Sequence, residues 1–210
     1  MSAHYPDIAF TEQVGDVQER YGSREFYARR RHSGSGPDRI TAEVRAFLAA
    51  RDSFYLATVS ESGWPYVQYR GGPPGFLRVR DDNTIGWADF QGNLQYISTG
   101  NVAGDDRVAL IVMDYPHRRR LKIYGHAQVV YADDDAELIA DLTMPDYPAV
   151  IERGVLVTVE AFDWNCQQHI TPRYTVADLE PHLDVLRNRI TELEAENTAL
   201  RDNCRPSDGS

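Results

Sequence analysis

The stretch that decides the fold is Phe54-Tyr55-Leu56-Ala57-Thr58-Val59, which leads through Glu61-Ser62-Gly63 into Tyr66-Val67-Gln68-Tyr69-Arg70. The first run is rich in β-branched and aromatic residues, and the polar segment after it contains the glycine that tight turns favour. The second run mixes apolar and polar side chains in the alternation of a half-exposed strand. Together these pieces predict two antiparallel strands joined by a turn.

Further strands are expected downstream, because apolar runs recur between clusters of Gly, Asp and Pro. They are Phe76–Val79, Thr84–Ala88, Val108–Met113, Leu121–Tyr131 and Val155–Phe162. Short helices are expected between them, at Asn93–Thr99 and at Asp133–Leu142. Many short strands with few helices indicate a mainly β (α+β) chain whose antiparallel strands form a closed or nearly closed barrel.

The rest of the chain divides into an extension, a barrel domain, a helix and a tail. Residues 1–40 form an N-terminal helical extension, with a helix at Gln13–Arg31 that ends in the loop Ser33–Pro37. Thr41 is the expected N-cap of a further helix that runs to about Ala50. The barrel domain spans residues 41–176, a C-terminal helix spans 177–203, and a disordered tail is expected at 204–210.

Composition argues against several classes of function. The formal charge of −10 at pH 7 disfavours binding to nucleic acid or to an anionic membrane. No apolar run approaches the roughly 20 residues of a membrane span, and no apolar signal core is visible, so a cytoplasmic protein is expected. Cys166 and Cys204 are too few for a disulfide scaffold. Cys166 and His169 lack the second pair that a zinc site needs, so no metal site is expected.

The C-terminal segment follows a different period. Apolar residues and one asparagine recur at spacings of four and three, which is the heptad pattern of Leu179, Leu183, Leu186, Ile190, Leu193, Asn197 and Leu200. Leucine occupies every d position, and Asn197 occupies an a position. This combination favours a parallel two-stranded coiled coil in a fixed register.

The charges beside this heptad seam agree with pairing between two copies of the chain. Arg189 at position g faces Glu194 of a second copy at position e. Glu196 faces Arg201 in the same way. The alternative is one amphipathic helix packed on its own barrel, which needs no partner. The upstream segment Ala177–Pro181 is acidic and lacks the basic region of a DNA-binding zipper.

Three polar clusters recur at the ends of the predicted strands and are separated by strand-like apolar segments. The first is Pro65–Phe76, the second is Trp87–Tyr96 and the third is Arg118–Lys122. Arginine binds phosphate through a bidentate fork, and glycine lets backbone N–H groups approach it closely. The clusters therefore predict a site for a phosphorylated, planar, aromatic ligand.

Each cluster alone also has a simpler explanation. Arg70 leaves a strand into Gly71-Gly72, but a strand-end arginine beside a turn is common on protein surfaces. Gly92-Asn93 is expected to open a helix, whose free N–H groups favour an anion. The third cluster is expected to place Arg118, Arg120 and Lys122 on one strand face, where either a bound anion or solvent would accommodate them.

In order and spacing, the three clusters resemble the FMN-binding split barrel of the pyridoxamine 5′-phosphate oxidase-like superfamily. The resemblance covers about Phe47 to Arg173, and its best pieces are Phe54–Thr58, Pro65–Gln68, Trp87–Phe90 and Arg120–Gly125. Two segments resemble a bacterial branch of flavin-nucleotide-binding proteins, namely Gln68–Gly72 and Cys166–Arg173. The resemblance implies a split β-barrel with flanking helices, FMN as the cofactor, and a homodimer whose flavin site lies between two subunits.

The resemblance also implies which residues bind FMN. From one chain these are Gln68, Tyr69, Arg70, Gly71, Gly72, Trp87, Ala88, Asp89, Phe90, Gly92, Asn93, Gln95, Arg119, Arg120 and Lys122. From the other chain, the residues that would reach the flavin are Trp164, Asn165, Gln168 and His169. Arg120 stands where the family has a glutamine that reaches the flavin, and His169 is the candidate catalytic residue.

This chain departs from the family pattern in two places. Asn93 and Gln95 replace the basic pair that clamps the phosphate, so Arg70 together with Arg119 or Lys122 must supply the positive charge. The Arg-x-His motif that holds pyridoxal phosphate has no counterpart near the C-terminus, so vitamin B6 oxidation is not expected.

The leading hypothesis is therefore an FMN-dependent oxidoreductase that acts on a small molecule. A non-catalytic flavin-binding or flavin-storage dimer, an F420-dependent reductase, and a scaffolding protein without a flavin are the alternatives.

Overall fold

The computed structural model describes residues 4–29, 36–164 and 167–203. The strands in these ranges are β1 (Ser53–Val59), β2 (Pro65–Gly71), β3 (Arg78–Val79), β4 (Thr84–Phe90), β5 (Arg107–Asp114), β6 (Arg119–Tyr131) and β7 (Ile151–Trp164). The helices are α1 (Tyr5–Ala9), α2 (Glu12–Arg20), α3 (Arg24–Ala28), α4 (Ala42–Ala49), α5 (Ile97–Gly104), α6 (Ala136–Leu142) and α7 (Val176–Asn203).

The strands form one antiparallel sheet in the order β2-β1-β5-β6-β7-β4-β3. In the described residues no hydrogen-bonded ladder joins β2 to β3, so the sheet is not closed. Its two ends still approach each other, because Arg70 on β2 lies 3.1 Å from Asp89 on β4 in an ion pair. The sheet is therefore a curled, open barrel. The predicted split β-barrel with flanking helices and a long C-terminal helix is confirmed.

Aromatic side chains fill the interior between the two ends of the sheet. Phe54 on β1 packs edge-on against Trp87 on β4, with 4.9 Å between ring centroids, and stacks on Phe76 at 5.7 Å. The apolar stripe of α4 covers this core with Phe47 and Leu48. Because β1 and β4 are not neighbours in the sheet, these side chains hold the two strands together in place of a backbone ladder.

A bulge between β6 and β7 anchors the N-terminal segment. The register shifts so that Tyr124 lies opposite Ala161 and Gly125 lies opposite Val159, which leaves Glu160 out of the ladder. The backbone carbonyl of Glu160 accepts a hydrogen bond from the N–H of Asp38 at 2.9 Å. Its side-chain Oε1 lies 2.9 Å from Nε2 of His4. Residues that precede the barrel are thereby fastened to β7.

Two predicted elements are shorter than expected. The helix predicted at Gln13–Arg31 is divided into α2 and α3, because Gly22 between them adopts a left-handed φ of 71°. The strand predicted at Phe76–Val79 is reduced to Arg78–Val79. The N–H of Phe76 donates to the carbonyl of Pro73 at 3.0 Å, so it is used in a turn and not in the sheet.

The described residues fall into two compact units. The first comprises the described residues of 4–114 and 118–170, which include the sheet, and the second comprises 115–117 and 171–203. Across these ranges, no helix has both the length and the apolar character needed to cross a membrane.

In the second unit, α7 begins with a capping box. Thr175 Oγ1 accepts a hydrogen bond from the N–H of Asp178 at 3.1 Å, and Asp178 Oδ2 accepts one from the N–H of Thr175 at 2.8 Å. The apolar side chains of the heptad seam are exposed, from 37% for Leu183 to 64% for Leu200. The coiled-coil pairing of this helix stays a prediction.

Candidate functional site

A cavity of about 250 Å³ lies where the two ends of the sheet approach each other. Its walls come from β2, the end of β4, the loop after β4, the first turn of α5 and the start of β7. The lining residues are Tyr66, Gln68, Arg70, Asp89, Phe90, Gly92, Asn93, Leu94, Gln95, Tyr96, Ile97, Ser98, Thr99, Glu152 and Arg153. A smaller cavity of about 190 Å³ shares several of these residues and also contacts Gly71, Phe76 and Trp87. We refer to the larger one as the β2–β4 cavity.

The structure brings the first two sequence clusters together. Residues of both clusters line one or both cavities, and those among the predicted site residues are Gln68, Tyr69, Arg70, Gly71, Trp87, Ala88, Asp89, Phe90, Gly92, Asn93 and Gln95. The side chain of Trp87 is 1% exposed and belongs to the core. Gly72 follows β2 outside both linings, close to the ring of Phe76.

The third cluster lies apart from this cavity in the described chain. Arg119 pairs with Glu43 at 2.6 Å and packs over the ring of Trp164 at 4.5 Å. Lys122 pairs with Asp163 at 2.7 Å and lies 4.6 Å over the ring of Tyr5. Both cations therefore already have counter-charges within their own chain.

One expectation for the start of β6 is wrong, and those for the residues that follow β7 stay untested. Arg118 does not share a strand face with Arg120 and Lys122, because it lies in the turn before β6 with a left-handed φ of 53°. Gln168 and His169 are exposed after β7, where His169 has a φ of 63°. Asn165 lies outside the described residues. Contact between these residues and a flavin stays a prediction.

The prediction that Gly92-Asn93 opens a helix is wrong, because α5 begins at Ile97. Leu94 and Tyr96 have φ values of 61° and 53°, which a right-handed helix does not allow. The first turn of α5 lines the β2–β4 cavity. The free N–H groups of that turn and the helix dipole favour an anion at this later position.

Two arginines converge on one buried carboxylate at this cavity. Arg70 Nη1 lies 3.1 Å from Asp89 Oδ1, and Arg153 Nε lies 3.3 Å from Asp89 Oδ2. Asp89 and Arg153 are each 5% exposed. Burial raises the pKa of Asp89 above its usual range, and the guanidinium groups of Arg70 and Arg153 oppose that rise. The cavity wall therefore carries charges that are largely removed from water.

Sequence reasoning missed Arg153 and Glu152, because the last strand was expected to begin only at Val155. In the structure β7 begins at Ile151, and Arg153 lies directly opposite Asp89 in the β4–β7 ladder. The sequence signal that was available is the charged pair Glu152-Arg153, which lies just before the apolar run that begins at Val155. That signal does not indicate which strand pairs with Arg153.

The donor groups at this cavity suit an anionic group such as a phosphate. Within the described chain, Nε of Arg70 and Nε of Arg153 are buried donors that make no hydrogen bond, although both arginines are ion-paired with Asp89. Two guanidinium groups and a helix N-terminus lie beside the aromatic rings of Phe90 and Tyr96. This combination suits a ligand that has both an anionic group and a planar ring.

The fold and the site together define the class of protein. It is an open antiparallel split barrel with an arginine-lined cavity between the two ends of its sheet. A family model described as pyridoxamine 5′-phosphate oxidase matches residues 40–166, which is more than half of the chain. The chain belongs to this family. Members usually bind a flavin or a related cofactor, and proteins with this fold are commonly dimers.

Several solved structures are similar to this chain. HupZ of Group A Streptococcus is 18% identical with a TM-score of 0.46, over 64% of this chain and 99% of that one. A putative pyridoxamine 5′-phosphate oxidase of Lactobacillus delbrueckii is 23% identical with a TM-score of 0.46, over 60% and 93%. An F420 reductase is 19% identical with a TM-score of 0.42, over 57% and 94%. None of the curated proteins matches the chain significantly. Family membership therefore rests on the family model.

Proposed function

We propose that this chain is an FMN-dependent oxidoreductase that acts on a small molecule, with the FMN phosphate bound in the β2–β4 cavity. The observation that carries this proposal is the convergence of Arg70 and the first turn of α5 on one cavity. FMN, when bound, supplies hydride and single-electron transfer chemistry. Arg70 and the α5 amides would hold the phosphate, and Phe90 would pack beside the flavin.

We further propose that the site is completed by a second copy of the chain. The two cavities of about 250 and 190 Å³ are each smaller than the roughly 300–1,000 Å³ of typical ligand pockets. A wall from the other subunit would complete the pocket. Residues proposed to contribute from that side are Trp164, Asn165, Gln168 and His169, and further candidates near the flavin are Arg119, Arg120 and Lys122.

Two exposed surfaces support a homodimer. On the outer face of the sheet, Tyr55 lies opposite Tyr69 on β2 and opposite Ile111 on β5, and all three side chains are more than a third exposed. A contiguous apolar row of this kind fits a protein interface. The exposed heptad seam of α7 would then pair in parallel with its copy and help to hold the dimer together.

The test of the proposed function is a titration of the purified protein with FMN, followed by absorbance and flavin fluorescence. Saturable binding with a shifted flavin spectrum is the expected result, followed by reduction with NADH or NADPH and reoxidation by an organic acceptor. A protein that takes up no FMN would overturn the proposal. Tight binding without any reduction would favour the flavin-storage alternative, and stronger binding of F420 would favour the F420-dependent reductase.

Arg70→Ala should weaken FMN binding by about 1.5–3 kcal/mol, because it removes a charged hydrogen bond to the phosphate. Fluorescence titration of the variant and of the wild type measures the difference. Arg80→Ala is the matched control, since Arg80 pairs with Asp141 and lines neither cavity. An unchanged FMN affinity in Arg70→Ala would remove Arg70 from the site.

Asn197→Leu should raise the melting temperature and broaden the oligomeric state. A buried asparagine at position a fixes register and strand number at a cost in stability, and leucine removes both effects. Analytical ultracentrifugation and thermal melting measure the two changes. Thr198→Leu adds the same side chain one position off the seam and should not alter the oligomer. A strict dimer in Asn197→Leu would contradict the proposed register.

A further inference from the structure

Arg153 is held in the β2–β4 cavity by contacts on three sides. Its Nε faces Asp89 across the β4–β7 ladder, and its Nη2 pairs with Glu152. Its guanidinium carbon lies 4.7 Å over the ring of Tyr96, whose hydroxyl donates to Glu152 Oε1 at 3.0 Å. Arg153 is only 5% exposed, so these contacts hold its guanidinium in the cavity wall.

We propose that Arg153 binds the phosphate of flavin mononucleotide beside Arg70, and that Asp89 positions both guanidinium groups for it. The cavity then distinguishes a flavin that carries a phosphate from one that does not. This inference rests on the proposed function, because it names the group that the β2–β4 cavity recognises.

The charges around the cavity support this role. Asp89 and Glu152 balance the two arginines, so the wall is electrically neutral before a ligand arrives. Even so, Nε of each arginine is buried without a hydrogen bond among the described residues. Both arginines are ion-paired with Asp89, but a buried N–H that makes no well-formed hydrogen bond is unfavourable. A phosphate monoester offers several acceptor oxygens and carries a charge of about −1.5 to −2 at pH 7. Charge-assisted hydrogen bonds in such a site are strong.

The carboxylates of Asp89 and Glu152 are the groups in the cavity lining that would oppose an incoming phosphate. Burial raises the pKa of Asp89, and the guanidinium groups of Arg70 and Arg153 oppose that rise. Arginine keeps its charge under the same conditions. The arrangement therefore retains its positive groups when the phosphate binds.

The other role that this geometry allows is structural. In that case Arg153 and Asp89 serve only to hold β4 against β7, and a ligand gains nothing from the guanidinium. The two roles make different predictions for FMN and riboflavin, because these molecules differ only in the phosphate. A structural role would change protein stability but not the ratio of the two affinities.

The experiment compares FMN and riboflavin binding by fluorescence titration in four proteins. They are the wild type, Arg153→Met, Arg153→Lys and a control, Arg51→Lys. Arg51 resembles Arg153 because it pairs with a buried carboxylate, that of Asp114, at 3.2 Å. It differs from Arg153 because it lines neither cavity. Thermal melting of each apoprotein reports stability separately.

In Arg153→Met, the preference for FMN over riboflavin should fall about tenfold to a hundredfold, with riboflavin affinity unchanged. Arg153→Lys keeps the positive charge but loses the planar guanidinium that binds phosphate through two hydrogen bonds. The preference for FMN over riboflavin should therefore fall about threefold to tenfold. Arg51→Lys should lower the melting temperature and leave the preference unchanged. If Arg153→Met does not fold, Arg153→Lys decides the result.

An unchanged preference in a folded Arg153 variant, with the wild type binding FMN, overturns the role of Arg153 alone. A wild type that binds neither flavin overturns the proposed function itself. The two failures are therefore distinguishable.

Discussion

Replacing Trp87 with alanine should destabilise the protein by about 3–5 kcal/mol, the usual cost of removing a large buried aromatic side chain. Trp87 is 1% exposed and packs edge-on against Phe54 on the opposite side of the barrel. Alanine would leave a cavity between β1 and β4, which no backbone ladder joins. Because Asp89 and Phe90 follow on the same strand, FMN binding should weaken as well. Urea unfolding followed by circular dichroism measures the loss of stability.

Trp87→Phe is the matched control for that prediction. The indole N–H of Trp87 is buried without a hydrogen bond partner in the described residues, so phenylalanine removes an unsatisfied donor while it keeps most of the packing. The expected cost is about 1 kcal/mol or less. Equal losses in the alanine and phenylalanine variants would show that ring packing is not what holds β4 in place.

Gly125→Ala should cost about 3 kcal/mol, because no space exists for a β-carbon at the bulge between β6 and β7. That carbon would lie 2.4 Å from the carbonyl oxygen of Thr158 and 2.7 Å from a methyl carbon of Val157. A backbone carbonyl in a ladder cannot rotate away as a flexible side chain can. The strands must separate instead, and the attachment of the N-terminal segment at Glu160 should loosen with them.

Gly100→Ala makes the same chemical change where the structure has room. Gly100 lies in α5, and beyond its adjacent residues and the nearby backbone of the helix no atom comes within 4 Å of the point that an alanine β-carbon would occupy. Alanine should stabilise the helix by up to about 1 kcal/mol. Chemical denaturation of both variants gives the comparison. A similar effect at both positions would mean that the close contact at Gly125 does not limit the fold.

Most strands were predictable from the sequence because burial acts on each strand locally. In β1 and β5 every second side chain is buried, and this produces the two-residue period that indicates a strand. The start of α5 was not predictable in this way. It depends on left-handed φ values at Leu94 and Tyr96, and neither residue is a glycine or asparagine that would have signalled them.

The candidate site was predictable only in part for a similar reason. Arg70 was found because an arginine followed by two glycines is a local pattern. Arg153 was missed because its importance depends on the register that places it opposite Asp89, far away in the chain. The third cluster was grouped with the first two, but Arg119 and Lys122 are paired with carboxylates elsewhere in their own chain.

The sequence by itself determined the strands, the heptad seam and the arginine, glycine and amide residues that suggested a phosphate ligand, because each is a short-range pattern. Only the tertiary structure decided that β2 and β4, which lie near opposite ends of the sheet, meet at one cavity. That meeting depends on how far the whole sheet curls around its aromatic core. The choice of Arg153 as the second arginine depends on the β4–β7 register, which no local pattern specifies.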